Sequence, residues 1–287
     1  MPQSALRGVS ETLYIPLLGR AEGERYGSIL RDPMAQEMVA RLDYDFPRQS
    51  RFLSIYMCIR AAILDEAVRE FLSRNPGAAV LHLGCGLDSR CLRAGEGAGL
   101  WVDVDLPPVI EARRPFFPES DTYRMLAASV TEPHWLDRLP DCDRVLVVAE
   151  GLTMYLTEEE NRQLLRDLQQ KFPQVEYIFD AYSCSAVRWS RRKNPVNAMG
   201  AVIRWGLDDP HQLEEAVPGV RHMRTQYFTG EKWRQKIASR GDRLLFALFY
   251  GNAWANQLYR IYTFSIRRKD SDKGGPSHGQ TIPKSLS

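Results

Sequence analysis

"VLHLGCGLDSR", residues 80–90, is an apolar run that breaks into two glycines one residue apart, Gly84 and Gly86. It predicts a buried strand over 78–83 and a tight turn that brings backbone close to a ligand, since a glycine has no Cβ and tolerates positive φ. The stretch that follows, "LDSRCLRA" (87–94), suits a helix. "LWVDVDL" (100–106) is the next strand and ends in carboxylates. Asp105 lies 21 residues after Gly84, where an acid at the end of the second strand of a nucleotide-binding unit receives ribose hydroxyls. Asp103 and Asp105 alternate with Val102 and Val104, so both acids share one strand face. Strand, turn and acid at this spacing point to an adenosine-type cofactor.

Two classes of cofactor remain at that point. The dinucleotide fingerprint has a third glycine where this chain has Ser89, and Asp88 stands where a pyrophosphate would sit, so a carboxylate there is expected to repel phosphate. S-adenosylmethionine carries no phosphate. It offers ribose hydroxyls to Asp105, an ammonium to carboxylates and a carboxylate to arginine.

Around this centre strands and helices alternate. "PPVIEARRPFF" (107–117) suits a helix, "YRMLAAS" (123–129) a strand, and "DRVLVVAEG" (143–151) a buried strand. Thr157 and Glu160 form a capping box ahead of a stripe of Leu164, Leu165, Leu168 and Phe172. "VEYIFDAY" (175–182) is a further strand. Such alternation means βαβ units and a mainly parallel sheet. "HMRTQYF" (222–228) and "YRIYTFSI" (259–266) are expected to pair as antiparallel strands at one edge. Upstream, Asp32-Pro33 starts a helix, and Phe52, Ile55, Tyr56, Ile59 and Ile63 form the apolar stripe of a longer one over 52–72.

The chain of 287 residues has room for one large domain, and its 44% hydrophobic and 26% charged content is that of a soluble globular enzyme. A net charge of +2 gives no general case for nucleic acid or an anionic membrane. Five scattered cysteines without a Cys-x-x-Cys pair suit a reducing cytosol and argue against a zinc site or a disulfide framework. No signal peptide or apolar span is seen, so a cytoplasmic location is expected. The division expected is a helical cap over 1–75, a core over 76–267 with an acceptor-side insertion at about 183–222, and a disordered polar tail over 268–287.

Taken in order, "VLHLGCGLDSRCLR", "VDVDLPPVIEARR", "AEGLTMYLTEEE" and "FPQVEYIFDAY" resemble the leucine carboxyl methyltransferase superfamily. Within it they resemble the bacterial branch related to tetracenomycin-type polyketide O-methyltransferases. "RAEGERYGSILRDPMAQEMVARLDYDF" and "IRWGLDDP" fit the same branch, and the likeness spans roughly residues 10–266. It implies a class I methyltransferase fold, an α/β Rossmann-like seven-stranded sheet whose last two strands form the antiparallel edge. S-adenosyl-L-methionine is then the cofactor, S-adenosyl-L-homocysteine its product, and no metal is needed. The likeness also implies roles. Arg60 would grip the cofactor carboxylate, Gly84 and Gly86 form the turn, Asp105 bind ribose and Glu150 stand beside cofactor and acceptor. Where the family has an Asp for the adenine amino group, this chain has Ser129 followed by Val130, which predicts weaker adenine binding.

The expected reaction is O-methylation of a small-molecule hydroxyl or carboxyl. Alternatives are methylation of a protein C-terminal carboxylate, an NAD-dependent oxidoreductase and a non-catalytic cofactor-binding module. A phenol needs a base, whereas a carboxylate is already an anion. Asp180, Tyr155 and Tyr182 are the catalytic candidates. Arg204, Trp205 and His211 are the acceptor-side candidates, with Arg204 suited to an acidic acceptor and Trp205 to an aromatic one. His82 is expected as a hydrogen-bonded core residue, His134 as packing near a helix start. The basic run "RWSRRK" (188–193) reads as a solvated helix end or an attractor of acidic molecules. Oligomeric state is left open by the sequence.

Overall fold

The computed structural model describes residue 6, residues 8–190 and residues 201–268. Thus 191–193 of the basic run and nearly all of the expected tail lie outside the described residues. Seven strands form one sheet: β1 (Ala79–Leu83), β2 (Leu100–Asp105), β3 (Tyr123–Ala127), β4 (Arg144–Ala149), β5 (Gln174–Tyr182), β6 (Val220–Gln226) and β7 (Tyr259–Arg267). Their order is β3-β2-β1-β4-β5-β7-β6. β1 to β5 are parallel, and β7 runs antiparallel between β5 and β6, so the expected antiparallel edge is present.

The order places β1 and β4 side by side at the centre, where the chain reverses its direction of travel across the sheet. That is the switch point at which ligands bind in open α/β sheets. The central strands are apolar on both faces because both faces are covered; all five residues of β1 are buried.

The helices are α1 (Tyr14–Ala21), α2 (Gly23–Tyr26), α3 (Pro33–Arg41), α4 (Arg51–Arg74), α5 (Arg90–Ala94), α6 (Pro107–Arg113) and α7 (Glu158–Lys171), followed by shorter ones between β5 and β7. α3 begins with Asp32 accepting from the Ala35 amide at 3.0 Å and Pro33 at its first position. α7 begins with the Thr157–Glu160 capping box. α4 carries the anticipated stripe. Ile55, Ile59 and Ile63 are buried against Val80, Leu146, Val148 and Ile178 of the sheet, so this helix is a layer of the main core. The opposite face packs against Trp135, Leu164, Leu165, Leu168 and Phe172.

Two helices are shorter than their patterns. α5 starts only at Arg90, because Gly84 and Gly86 adopt φ of 60° and 52° and the Asp88 amide closes a turn onto Cys85. α6 stops at Arg113, two residues before Pro115, which cannot continue a helix without losing its backbone donor.

Candidate active site

A cavity of about 490 Å³ opens at the carboxyl ends of the parallel strands, within the size range of small-molecule sites. Gly84, Asp105, Ser129, Val130, Glu150, Tyr155, Tyr182 and Arg204 all line it, as does Arg60 from α4. Gly86 lines a small recess beside it with Gly84, Arg60 and Glu150.

The glycine turn is built for close approach. A Cβ on Gly84 would lie 3.2 Å from the Leu152 side chain, and one on Gly86 only 2.8 Å from Leu13 Cδ2. The Gly86 amide donates to Asp105 Oδ2 at 2.7 Å, and the Leu106 amide donates to Oδ1 at 2.7 Å. Each carboxylate oxygen thus accepts one backbone amide and can accept a further donor. Burial pushes Asp105 above the ordinary carboxylate range, although these two amides pull the other way.

Sequence reading missed what holds the turn in place. Arg113 of α6, wholly buried, donates to the Gly86 carbonyl at 2.9 Å and the Asp88 carbonyl at 2.7 Å. It is ion-paired with Asp103 and lies 4.2 Å over the Phe117 ring. The signal was present in "VDVDLPPVIEARR": Asp103 shares a face with Asp105, and an arginine one strand-helix unit later can reach back to it.

Asp88 requires a correction. Its carboxylate does not face a ligand unpaired. It is buried among Arg93 at 2.8 Å, Arg90 at 3.2 Å and Arg20 at 3.6 Å. Burial would raise it, but these three guanidiniums hold it well below the usual range. Repulsion by a bare Asp88 is therefore not what excludes a pyrophosphate.

Arg60 joins three elements. It pairs with Glu150 at the end of β4 at 2.8 Å and with Asp180 on β5 at 3.2 Å, and it donates to the Tyr259 hydroxyl at 2.9 Å. Both terminal nitrogens are thereby engaged, while its buried Nε has no hydrogen-bond partner. Arg60 as a residue lines the cavity, and a guanidinium there suits a carboxylate of the cofactor. Burial would raise Glu150, but Arg60 and Arg90 beside it bring it down to about 2.

Asp180 occupies the right end of β5 but not the cavity wall. It is fully buried behind Arg60 and accepts from the Gly151 amide at 2.7 Å and from the Tyr259 hydroxyl. Tyr182, two residues on, reaches the wall and stacks on Tyr259 with ring centroids 4.2 Å apart. Tyr155 is set by its turn: Thr153 donates to the Asp180 carbonyl at 2.7 Å, and Asn161 donates to the Thr153 carbonyl at 3.0 Å. Burial raises Tyr155 and pushes Tyr182 to about 12.

Arg204 reaches the cavity, its amide donating to the Met154 carbonyl at 2.8 Å. Trp205 does not: the alternating backbone turns it inward, where it is buried 6.2 Å from the Phe179 ring. His211 lies outside as well, on the surface and paired with Glu214 at 2.8 Å. His82 is the core residue expected, 3.2 Å from Asp103 and 3.3 Å from Arg90. His134 precedes the turn Trp135–Arg138 and faces solvent. Thr12, Leu13, Ile15 and Pro16 cover the cavity from the N-terminal segment, and Tyr259 completes it from β7. Ser129 Oγ is 2.8 Å from Thr131 Oγ1 and accepts from the Thr131 amide at 3.2 Å.

Residues 13–169, more than half the chain, match the family model described as leucine carboxyl methyltransferase. The chain belongs to the leucine carboxyl methyltransferase family. It is 42% identical over 221 residues to the tetracenomycin polyketide synthesis O-methyltransferase TcmP of Streptomyces glaucescens, covering 75% of this chain and 82% of that one. It is 37% identical over 244 residues to the S-adenosyl-L-methionine-dependent methyltransferase dpfgK of Gibberella zeae, covering 76% and 81%. Among solved structures, a DUF574 family protein from Streptomyces avermitilis aligns with TM-score 0.53 at 14% identity, over 88% of this chain and 97% of that one. A methyltransferase from Mesorhizobium loti aligns with TM-score 0.51 at 17% identity, over 70% and 96%. These two share the fold. The family member described here is an S-adenosylmethionine-dependent methyltransferase of class I architecture. Among the described residues, no cluster of His, Cys, Asp or Glu could hold a metal ion, and no helix is long and apolar enough to cross a membrane.

Proposed function

We propose that this methyltransferase acts on an oxygen of a small aromatic or polyketide-like acceptor, and that the oxygen belongs to a carboxylate. The single observation that carries this reading is the composition of the cavity. Its acceptor end is walled by Leu53, Met57, Met154, Tyr155, Tyr182 and Tyr259 and covered by the N-terminal segment. A flat apolar molecule suits such a wall. The likeness to TcmP, a polyketide O-methyltransferase, points the same way.

The preference for a carboxylate comes from the ionisable groups on the wall. Glu150 is held at about 2 and Tyr182 at about 12. Asp105 is committed to the glycine turn, and Glu160 to its capping box. Among the described residues no histidine lines the cavity. Asp180, anticipated as a base, is withdrawn behind Arg60; its proposed role is to position Arg60. An acceptor that is already an anion needs no base, and Arg204 supplies a cation on the wall to receive it.

S-adenosylmethionine, when bound, supplies a methyl group on a sulfonium. The residues here bind and orient: Asp105 receives the ribose hydroxyls, Arg60 the carboxylate, Ser129 and Val130 the adenine edge. Tyr155 and Tyr182 stay neutral and position the acceptor. Alignment of this kind supplies about 7–11 kcal/mol of a barrier. The five free cysteines fit a reducing cytoplasm.

The test is transfer of labelled methyl from S-adenosylmethionine to a panel of aromatic carboxylic acids, phenols and a peptide ending in a free carboxylate, with products identified by mass spectrometry. Esters of aromatic acids are expected. Ethers alone would move the reading to hydroxyl acceptors, and turnover of the peptide alone would move it to protein termini.

A further inference from the structure

The surface beside the cavity carries an apolar patch that the proposed reaction does not use. A surface helix ordinarily turns a polar face outward. The helix Arg240–Tyr250 does not: Phe246 is buried on the side of Tyr56, yet Leu244, Leu248 and Phe249 stand exposed. Leu244 and Leu248 are four residues apart and so share one face. Asn252 ties on the next helix, Ala253–Leu258, by donating to the Leu248 carbonyl at 3.4 Å. Trp254 of that helix extends the patch, its ring 6.5 Å from that of Trp189 on the helix Cys184–Ser190. Phe249 reaches the other way, its ring 6.2 Å from Phe52 at the start of α4. Trp189, Leu244, Leu248, Phe249 and Trp254 are each between 58% and 73% exposed.

This patch borders the cavity. Phe52 is followed by Leu53, which lines it; the helix Cys184–Ser190 begins two residues after Tyr182; and the helix Ala253–Leu258 ends directly before Tyr259. The charge on these elements is mainly of one sign. Arg51, Arg188 and Arg240 are exposed, and Arg243 is half-buried. Asp242 is the one acid within the three short helices, and it is paired with Arg51 at 3.3 Å. Asp208, beside the start of the helix Cys184–Ser190, accepts from the Cys184 amide at 3.0 Å and lies 4.0 Å from Arg260. Among the described residues, Arg188, Arg240 and Arg243 form no ion pair.

We propose that this face docks the enzyme on an anionic lipid surface, beside the rim of the cavity. Exposed tryptophan, phenylalanine and leucine flanked by arginine is the composition of an element that lies in the headgroup region. A net charge of +2 over the whole chain makes no general case for such a surface; the cations here are local, and each arginine near anionic lipid adds to binding. Contact is peripheral, since no described helix is long and apolar enough to cross a membrane. Two other occupants suit the face less well. An isologous contact with a second copy would bring this arginine-rich rim against its own like. A folded protein partner needs a closely packed, shaped counterpart, whereas these five side chains stand out from three helices and suit a deformable medium. The inference concerns the rim and does not depend on which acceptor oxygen is methylated.

The experiment is flotation of the full chain with vesicles of phosphatidylcholine alone and of phosphatidylcholine mixed with phosphatidylglycerol, alongside light scattering of the protein without lipid. Binding to the mixed vesicles is expected to be about tenfold or more tighter than to the neutral ones and to weaken with added salt. Arg240→Gln is expected to lower it about fivefold, the effect of one arginine near a charged surface. Leu244→Ser with Leu248→Ser, and independently Trp254→Ser, are expected to lower it about tenfold or more. Affinity for S-adenosylhomocysteine is expected to stay that of the wild type in all of them, which shows that they are folded. Equal binding to neutral and mixed vesicles, or binding that these variants leave unchanged, would overturn the proposal. A dimer in solution that Leu248→Asp dissociates would assign the face to a second copy and overturn it as well. A monomer that binds neither kind of vesicle would overturn it in favour of an acidic protein partner. Docking is read without turnover, so its failure and a failure of the proposed methyl transfer are distinguishable.

Discussion

The Gly86 amide donates to the Asp105 carboxylate at 2.7 Å across 19 residues of chain. The glycine turn and the acid proposed to bind the cofactor's ribose are therefore one hydrogen-bonded unit. Replacing Asp105 by Asn sets an amide NH₂ against one of the two backbone donors it now accepts. Affinity for S-adenosylhomocysteine is expected to fall about 10- to 100-fold, the loss of a hydrogen bond to a charged group. Calorimetry on the folded variant checks this.

Arg204 lines the cavity and is the cation proposed to receive the acceptor. Arg204→Leu is expected to raise KM for an aromatic acid about tenfold or more while leaving the cofactor dissociation constant unchanged. Steady-state kinetics and cofactor titration on the same preparation separate the two. Equal losses in both would place Arg204 on the cofactor instead.

Tyr259 donates to Asp180 and accepts from Arg60. Tyr259→Phe leaves a buried carboxylate short of one donor, at a cost of about 1–3 kcal/mol. A lower melting temperature is expected, together with weaker cofactor binding as Arg60 loses its third contact. Unchanged values for both would show the hydroxyl to be idle.

Acid stability follows from the buried carboxylates. Glu150 drops from its ordinary 4.5 to about 2 on folding, so its contribution is present above about 4.5 and is lost as pH falls toward 2. Asp105 and Asp180 are shifted upward, so theirs has the opposite sign, present below 3.8 and lost as pH rises. Glu150→Gln is expected to lower the melting temperature at pH 7, because Arg60 and Arg90 lose a shared partner. It is also expected to flatten the decline between pH 4.5 and 2. Circular dichroism melts across that range decide it.

Ser129 offers a final substitution. Its hydroxyl is shared with Thr131, whose amide it also accepts. An aspartate there can keep the amide bond and still present a charged oxygen to the adenine amino group. Ser129→Asp is expected to tighten cofactor binding several-fold, about the gain of adding charge to one hydrogen bond. No gain would mean the adenine edge is read elsewhere.

Much of this site is visible along the chain because its parts are local. The strand, turn and acid of residues 80–105 sit within one βαβ unit, so spacing alone places them. The capping box at Thr157 is likewise a matter of three residues. What periodicity cannot show is which distant side chains meet. Arg60 and Asp180 are 120 residues apart, and their contact depends on α4 lying across the ends of β4 and β5. Asp180 and Tyr182 share a strand face, yet only the second reaches the cavity, because Arg60 covers the first. Arg204 and Trp205 are neighbours that backbone alternation sends to opposite sides. The roof formed by Thr12 to Pro16 carries no motif; its position follows from Arg20, which donates to the Leu87 carbonyl at 3.0 Å.

Because β7 runs against its neighbours, its first residue lies level with the last of β5: Tyr182 pairs with Tyr259 across the sheet. On the ribosome, the segment holding Arg60, Gly84, Asp105 and Glu150 emerges long before the strand that supplies the last hydroxyl. During synthesis from the N-terminus, the growing chain can assemble the floor of its binding pocket early, but the contacts of Arg60 and Asp180 to the Tyr259 hydroxyl come last. A chain released before that strand would keep the direct Arg60–Asp180 pair but lack the hydroxyl that touches both.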